Sequence, residues 1–318
     1  YFSLNANTTG THNAAFGDYA LSANTDGERN VAVGQAALMA NTTADYNTSI
    51  GFQALGSNTT ADNNTAVGAN ALVANTTGTQ NVAVGAYSLT ANTTASYNTS
   101  VGAYALDTNT TGEKNTSIGR ASLYSNTTGI QNNAFGYEAL YANTTGNYNV
   151  AIGNQTLDAN TTGETNIAVG TLALTASTIG HRNVAIGHGA LQSNTTASDS
   201  TAIGYNALNS HTTGYNNIGI GVSALEACTT GGNNTATGYM SMYECTTGTE
   251  NTAYGQRSLK SVTTGAQNTA IGGGALQNNT ASYNTAVGRD ALISNTTGSY
   301  NTAVGRDALN DNTTGIDN

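Results

Sequence analysis

The sequence predicts an all-β fold, a parallel β-solenoid (β-roll) of about eighteen coils of 17 residues each. A glycine recurs every 17 residues from Gly17 to Gly272, slips once by a single residue to Gly288 and resumes at Gly305. Leucines and asparagines keep a fixed phase within the same period. Self-similarity at one short period is typical of a solenoid, whose coils bury their apolar sides only by stacking on one another.

Each coil is counted here from the asparagine that lies four residues before the glycine. The unit then reads N-x-A-[VI]-G-x-x-A-L-x-x-N-T-T-G-x-x, as in residues 81–97. No residue run breaks the period, so we predict one continuous repeat region over residues 1–318. Solenoids need atypical polar end repeats. We see none, and expect this region to be a segment of a longer fibre protein.

The second to fourth positions, for example Val31-Ala32-Val33, are β-branched on alternate residues and predict a short strand. The glycine that follows suits a corner with positive φ or close backbone approach. The x-x-A-L-x-x part has helix-favouring composition in some coils, as in residues 137–140. Because Gly273 and Gly274 fill the same positions elsewhere, we expect extended or irregular structure there.

Two positions carry large apolar residues. The fourth is apolar in every coil but one, where Thr237 stands, and the ninth is Leu except at Met242. The third and eighth positions are almost always Ala or Ser. This pattern predicts two large apolar ladders inside the solenoid, lined by small residues.

The fifteenth position is Gly or Ala, and every Ala is followed by Asp or Ser, as in Ala44-Asp45 and Ala95-Ser96. We interpret this as a turn in which the Asp or Ser side chain bonds the local backbone.

Asparagine is nearly invariant at the first position and frequent at the twelfth. Stacked amides can donate and accept along a column, whereas Asn-Thr-Thr also matches the N-glycosylation motif. The replacements at the twelfth position are Ser177, His211, Cys228, Cys245 and Val262. Since Cys and Val favour the interior, a structural ladder is the preferred interpretation.

Cys228 and Cys245 lie one period apart and are therefore expected to be vertical neighbours. Cα atoms about 5 Å apart suit a disulfide. Two small buried thiols are the equal alternative. An oxidising, extracellular setting would favour the bond.

No residue pattern predicts catalysis, a cofactor or a metal site. His12, His181, His188 and His211 fall in four different phases of the coil, so a surface or loop location is expected for each. The units at Arg289-Asp290 and Arg306-Asp307 predict surface ion pairs that contribute little to stability. We expect no enzymatic activity.

Charge and hydropathy limit the partners. The net charge of −10 argues against nucleic acid and anionic membranes. No apolar run approaches the roughly 18 residues of a transmembrane helix, so membrane insertion is not expected.

The N-T-A-V-G-x-x-A-L-x-x-N-T-T-G unit resembles the repeats of phage-type tail fibres and related bacterial surface fibres. Its Ala32-Val33-Gly34 core is also similar to the A-[IV]-G core of trimeric autotransporter adhesin head repeats. The resemblance covers the whole chain. It implies a homotrimeric, extended, extracellular fibre of the cell surface or virion that is used for attachment.

Three functional hypotheses follow. The first is a structural fibre shaft or head without catalysis, which self-associates as a homotrimer and presents surfaces to a glycan or protein receptor. The second is a subunit of a self-assembling extracellular filament joined end to end. The third is an ice- or carbohydrate-binding solenoid, motivated by threonines at the thirteenth and fourteenth positions. Receptor contacts would fall to variable outward positions, above all the seventeenth, which includes Tyr46, Tyr97, Tyr148, Tyr283 and Tyr300.

Overall fold

The computed structural model describes residues 2–318 and divides them into two compact units. The first unit is Tyr1–Thr162, of which Tyr1 lies outside the described residues, and the second is Gly163–Asn318. Each unit is a parallel β-solenoid, and the described residues contain eighteen strands and no helix. The predicted fold class is confirmed.

The first unit contains nine strands of three residues each, one per coil. Neighbouring strands pair in parallel with equivalent residues opposite each other, as Val31 pairs with Thr48 and Val33 with Ile50. The strands are β1 (Ala14–Phe16), β2 (Val31–Val33), β3 (Thr48–Ile50), β4 (Thr65–Val67), β5 (Val82–Val84), β6 (Thr99–Val101), β7 (Thr116–Ile118), β8 (Asn133–Phe135) and β9 (Val150–Ile152).

The second unit repeats this arrangement with nine further strands. The single one-residue slip leaves the strand register intact, since Thr269 pairs with Thr285 and Ile271 with Val287. The missing residue falls in the Asn-Thr-Thr turn, where residues 279–281 read Asn-Thr-Ala. The strands are β10 (Ile167–Val169), β11 (Val184–Ile186), β12 (Thr201–Ile203), β13 (Ile218–Ile220), β14 (Thr235–Thr237), β15 (Thr252–Tyr254), β16 (Thr269–Ile271), β17 (Thr285–Val287) and β18 (Thr302–Val304).

The fifth-position glycine forms the corner after each strand for both reasons that the sequence suggests. Gly34 has φ of 131°, which L-residues rarely adopt. A Cβ on Gly34 would also lie 2.5 Å from the carbonyl oxygen of Gly51 in the next coil. The backbones of successive coils therefore approach too closely at this corner for any side chain.

The x-x-A-L-x-x part forms two reverse turns, which agrees with the expected irregular structure. The Ala37 N–H donates to the Gly34 carbonyl at 3.3 Å, and the Asn41 N–H donates to the Leu38 carbonyl at 3.3 Å. The seventh and ninth residues adopt the left-handed conformation, with φ of 56° at Ala36 and 51° at Leu38. Backbone bonds between coils hold these turns, for example from Leu38 N–H to the Ala54 carbonyl at 3.0 Å.

The core is narrower than predicted. Away from the end coils, leucines of the ninth position are fully buried, as are the alanines of the third and eighth positions that surround them, for example Ala32, Ala37 and Leu38, whereas Leu309 is 41% exposed. The predicted second ladder at the fourth position is wrong, because those side chains point outward: Ile50 is 40% and Ile152 is 42% exposed. Strand side chains alternate between faces, and only the small third residue fits inside.

Candidate functional site

The main candidate site is the outer face of the strands, called here the strand face and formed by the second and fourth positions. In the first unit its fourth-position row runs Phe16, Val33, Ile50, Val67, Val84, Val101, Ile118, Phe135 and Ile152. In the second unit the row runs Val169, Ile186, Ile203, Ile220, Thr237, Tyr254, Ile271, Val287 and Val304. The second-position row is mostly Thr and Val, and neither row contains a charged residue.

The strand face is rigidly supported by asparagines of the first position, which lie beside the strands and are buried. In the first unit, Asn98 N–H donates to Oδ1 of Asn81 at 3.0 Å, and Asn98 Oδ1 accepts the Asn115 N–H at 3.0 Å. The Nδ2 of Asn98 donates to the Gly112 carbonyl at 2.9 Å. The Asn98 side chain thus bonds its own coil and the next, which confirms the structural ladder at this position.

The twelfth-position asparagines form a second buried ladder in the first unit. Asn92 Nδ2 donates to Oδ1 of Asn75 and to the Ala95 carbonyl, both at 3.0 Å, and Asn109 Nδ2 continues the column to Asn92 Oδ1 at 3.1 Å. Nδ2 is the atom that N-glycosylation would modify. Since these residues are fully buried, the structure supports the ladder over the glycan at this position.

The coupled rule at the fifteenth and sixteenth positions is a bond between coils. The Glu28 N–H donates to Asp45 Oδ1 at 2.6 Å, and the Thr79 N–H donates to Ser96 Oγ at 3.0 Å. The prediction of a bond to the local backbone is therefore wrong. The side chain instead accepts a hydrogen bond from a backbone N–H of the preceding coil. Asn147 does the same for Ile130 at 2.8 Å, although its coil has Gly146.

The two cysteines are free, buried thiols in the structure. Each Sγ lies 3.8 Å from a carbonyl oxygen, that of Gly231 for Cys228 and that of Gly248 for Cys245. They fill the space that an asparagine amide takes in other coils. The hydrogen bond that the Cys228 thiol donates to Cys245 raises the pKa of Cys228, and burial raises it further.

The histidines do not converge, but one of them departs from the expected surface location. His12 and His188 are exposed, and His181 is half-buried, with Nδ1 accepting the Glu164 N–H at 3.0 Å. His211 is fully buried at a twelfth position, where its Nε2 lies 2.9 Å from the Gly214 carbonyl oxygen. Burial lowers the pKa of His211, so the neutral ring is favoured in the folded chain.

The burial of His211 predicts loss of stability in acid. Below the ordinary histidine pKa of about 6.5, the unfolded chain takes up a proton that the folded chain resists. The free energy of unfolding should therefore fall as the pH drops from about 7 to about 5, until the lowered folded-state pKa is reached. His211→Asn, which retains a donor to Gly214, should remove this dependence.

Denaturant melts of wild type and variant across this pH range measure the effect. His188→Asn, which changes an exposed ring, is the matched control and should keep the dependence of the wild type. An acid loss that survives in His211→Asn would contradict the assignment to His211.

The threonines and tyrosines proposed for recognition differ in whether their side chains already bond within the fold. The thirteenth-position hydroxyl is used within the fold, as Thr127 Oγ1 donates to the Thr144 carbonyl at 3.1 Å. The seventeenth-position tyrosines are exposed, and Tyr283 and Tyr300 stack with ring centroids 4.8 Å apart. Fourteenth-position threonines such as Thr43 and Thr60 are exposed as well, so both kinds of predicted recognition residue reach the surface.

The two predicted ion pairs lie at the surface. Arg289 pairs with Asp290 at 3.0 Å and Arg306 with Asp307 at 3.2 Å, with the arginines largely exposed. Over residues 2–318, no group of three or more His, Cys, Asp or Glu side chains is placed to hold a metal ion. The described part of the chain also has no helix of the length and hydropathy needed to cross a bilayer.

The outward direction of the fourth-position row differs from the direction that the hydrophobic pattern predicts. The signal was present in the third position, which accepts only Ala, Ser or Gly. No family model matches this chain, and no curated protein matches it.

Proposed function

We propose that this chain is a structural element of an extracellular fibre whose copies associate side by side through the strand face. The role is structural and adhesive rather than catalytic, and the setting is the cell surface or a virion. The resemblance of its repeat to tail-fibre and adhesin repeats supports a homotrimer.

The single observation that carries this proposal is the exposed apolar row at the fourth position. Seventeen of its eighteen residues are apolar, although none is needed to fill the core. In each unit, nine three-residue strands span about 40 by 10 Å, or roughly 400 Å². The apolar row occupies part of this area, and contiguous apolar patches of a few hundred Å² on soluble proteins are often functional.

A second copy of the chain suits this face better than an unrelated partner. Its own strand face has the same spacing between rows and no charge that would have to be desolvated. Flat sheets pack about 10 Å apart with their side chains interdigitated. An attachment fibre needs such a lateral contact, because a core with only one leucine per coil gives little stiffness to a single chain.

The mass of the native assembly tests the proposal. We expect the wild-type chain of 32.1 kDa to sediment at about three times that mass. The triple variant Ile50→Lys, Val84→Lys, Ile118→Lys places charges on the strand face of alternate coils. It should remain folded by circular dichroism but sediment as a monomer, since an unpaired buried charge costs several kcal/mol.

The matched control is the triple variant Asn63→Lys, Tyr97→Lys, Gln131→Lys. These residues occupy the exposed seventeenth position, where Lys114 occurs naturally. The control should assemble as the wild type does. A monomeric wild type, or a strand-face variant that assembles normally, would rule out the proposed contact.

A further inference from the structure

A second surface feature lies outside the strand face, in the first unit, at the sixth, seventh and tenth positions. It is a depression of about 320 Å³ lined by Tyr104, Arg120, Ala121, Tyr124, Glu138 and Tyr141. It is called here the tyrosine notch. The corner at Gly119 separates it in the coil from strand β7.

The notch exists because one residue in a column is small. The seventh-position column runs from Tyr87 through Tyr104 and Ala121 to Glu138. Tyr87 and Tyr104 stack with centroids 5.2 Å apart and planes 1° apart, so one face of Tyr104 is covered. Ala121 is too short to cover the other face, and Tyr104 is left 40% exposed.

The sides of the notch carry hydroxyls and two opposite charges. Tyr124 and Tyr141 stack in the tenth-position column with centroids 5.2 Å apart. Arg120 Nη1 lies 4.0 Å from Glu138 Oε1 and 3.4 Å from the Tyr137 hydroxyl. The notch therefore combines an open aromatic face with several donors and acceptors and no net charge.

We propose that the tyrosine notch binds a neutral saccharide, with one sugar ring lying over the free face of Tyr104 in the space above Ala121. The C–H groups of a pyranose are weakly positive and suit the negative face of an aromatic ring. Its hydroxyls both donate and accept, which matches the tyrosine hydroxyls, Arg120 and Glu138. A charged ligand would be repelled by whichever member of the Arg120–Glu138 ion pair carries the same charge.

A peptide fits the notch less well. Peptides commonly add to a sheet edge through free backbone groups, but the backbone here is already paired between coils. The Ala121 N–H donates to the Ala103 carbonyl at 3.0 Å, and the Leu123 N–H donates to the Ala139 carbonyl at 2.9 Å. A larger depression over Gly273 and Gly274 is lined by Gln, Arg and Asp and offers no aromatic ring.

Saturation-transfer NMR on the full chain tests the proposal, with tetrasaccharides of glucose, galactose, mannose and N-acetylglucosamine as probes. At least one probe should receive saturation, and titration should give its dissociation constant. Tyr104→Gln removes the open ring, and Ala121→Tyr fills the space above it. Each variant should weaken binding at least about tenfold. Tyr104→Gln loses the aromatic contact, and in Ala121→Tyr the new side chain occupies the ligand's binding space.

Two control variants separate this effect from misfolding. Ala36→Tyr makes the same change at another seventh position, and Tyr97→Gln removes an exposed ring at a seventeenth position where Gln80 occurs naturally. Both should bind as the wild type does. The proposal is overturned if no tetrasaccharide receives saturation or if the notch variants bind like the controls. A proline-rich decapeptide serves as the peptide probe, and binding of this peptide alone would also overturn the proposal. None of these outcomes depends on assembly through the strand face.

Discussion

Gly272→Ala should be among the most destabilising single substitutions in this chain, with a loss of more than about 3 kcal/mol in the free energy of unfolding. Gly272 has φ of 132°, a conformation that alanine adopts only with strain. A Cβ there would also lie 2.5 Å from the Gly288 carbonyl oxygen and 2.6 Å from its carbon. Neither atom can move without breaking the backbone pairing of two coils, so the structure cannot relax to relieve the strain.

The next residue provides the matched control. A Cβ on Gly273 would meet only the Gln256 carbonyl oxygen, 4.0 Å away. Gly273→Ala should be neutral or should stabilise the fold by about 0.5 kcal/mol through the unfolded chain. Guanidinium melts of both variants measure the difference. Equal midpoints for the two would mean that the corner glycine is not constrained by the neighbouring coil.

The stacking of the coils follows from the sequence because the period is a physical constraint. A residue repeated at one spacing meets its own equivalent only if successive coils lie in register, as Val31 and Thr48 do. The buried leucine column follows in the same way. So does the corner glycine, because a position that tolerates no side chain in any coil must face backbone.

The direction of the fourth-position side chain was not accessible by the same argument. Thr65-Ala66-Val67 alternates equally well with either face inward. Hydrophobicity favours Val67 inside, but the coil is so narrow that only Ala66 fits, and steric limits outweigh the apolar transfer energy. The apolar residues displaced outward are the ones through which we propose that copies associate.

The tyrosine notch was missed for a different reason. Ala121 is unexceptional within its own coil, and the space above it appears only when the seventh-position residues of successive coils are compared as a column. Similarly, His211 was assigned to the surface because histidine usually lies there, although its position is one that buries asparagine in other coils. In a solenoid, the column predicts burial better than the residue type does.

The first-position asparagines should be as sensitive as the glycines, and Asn98→Asp tests this with almost no change in shape. Asn98 is fully buried, and its side chain bonds the Gly112 carbonyl and the Asn115 N–H, both backbone groups. At about pH 7 the variant would bury an uncompensated carboxylate facing the Gly112 carbonyl oxygen, at a cost of roughly 3–5 kcal/mol.

Acid should restore the Asn98→Asp variant. A protonated carboxyl can accept from the Asn115 N–H and donate to the Gly112 carbonyl, as the amide does. Burial favours this neutral form, so the folded-state pKa lies above the unfolded value of about 3.9. Stability is then present below that value and is lost as the pH rises toward the folded-state pKa.

Melts of Asn98→Asp and wild type between about pH 3 and 7 measure the recovery as the difference between the two proteins. Asn63→Asp makes the same chemical change at an exposed seventeenth position, where Asp199 occurs naturally, and should follow the wild type at every pH. If Asn98→Asp were as stable as Asn63→Asp near neutral pH, the buried amide ladder would not be what joins the coils beside the strands. The backbone hydrogen bonds between coils, the twelfth-position ladder and the leucine column would then have to hold them without it.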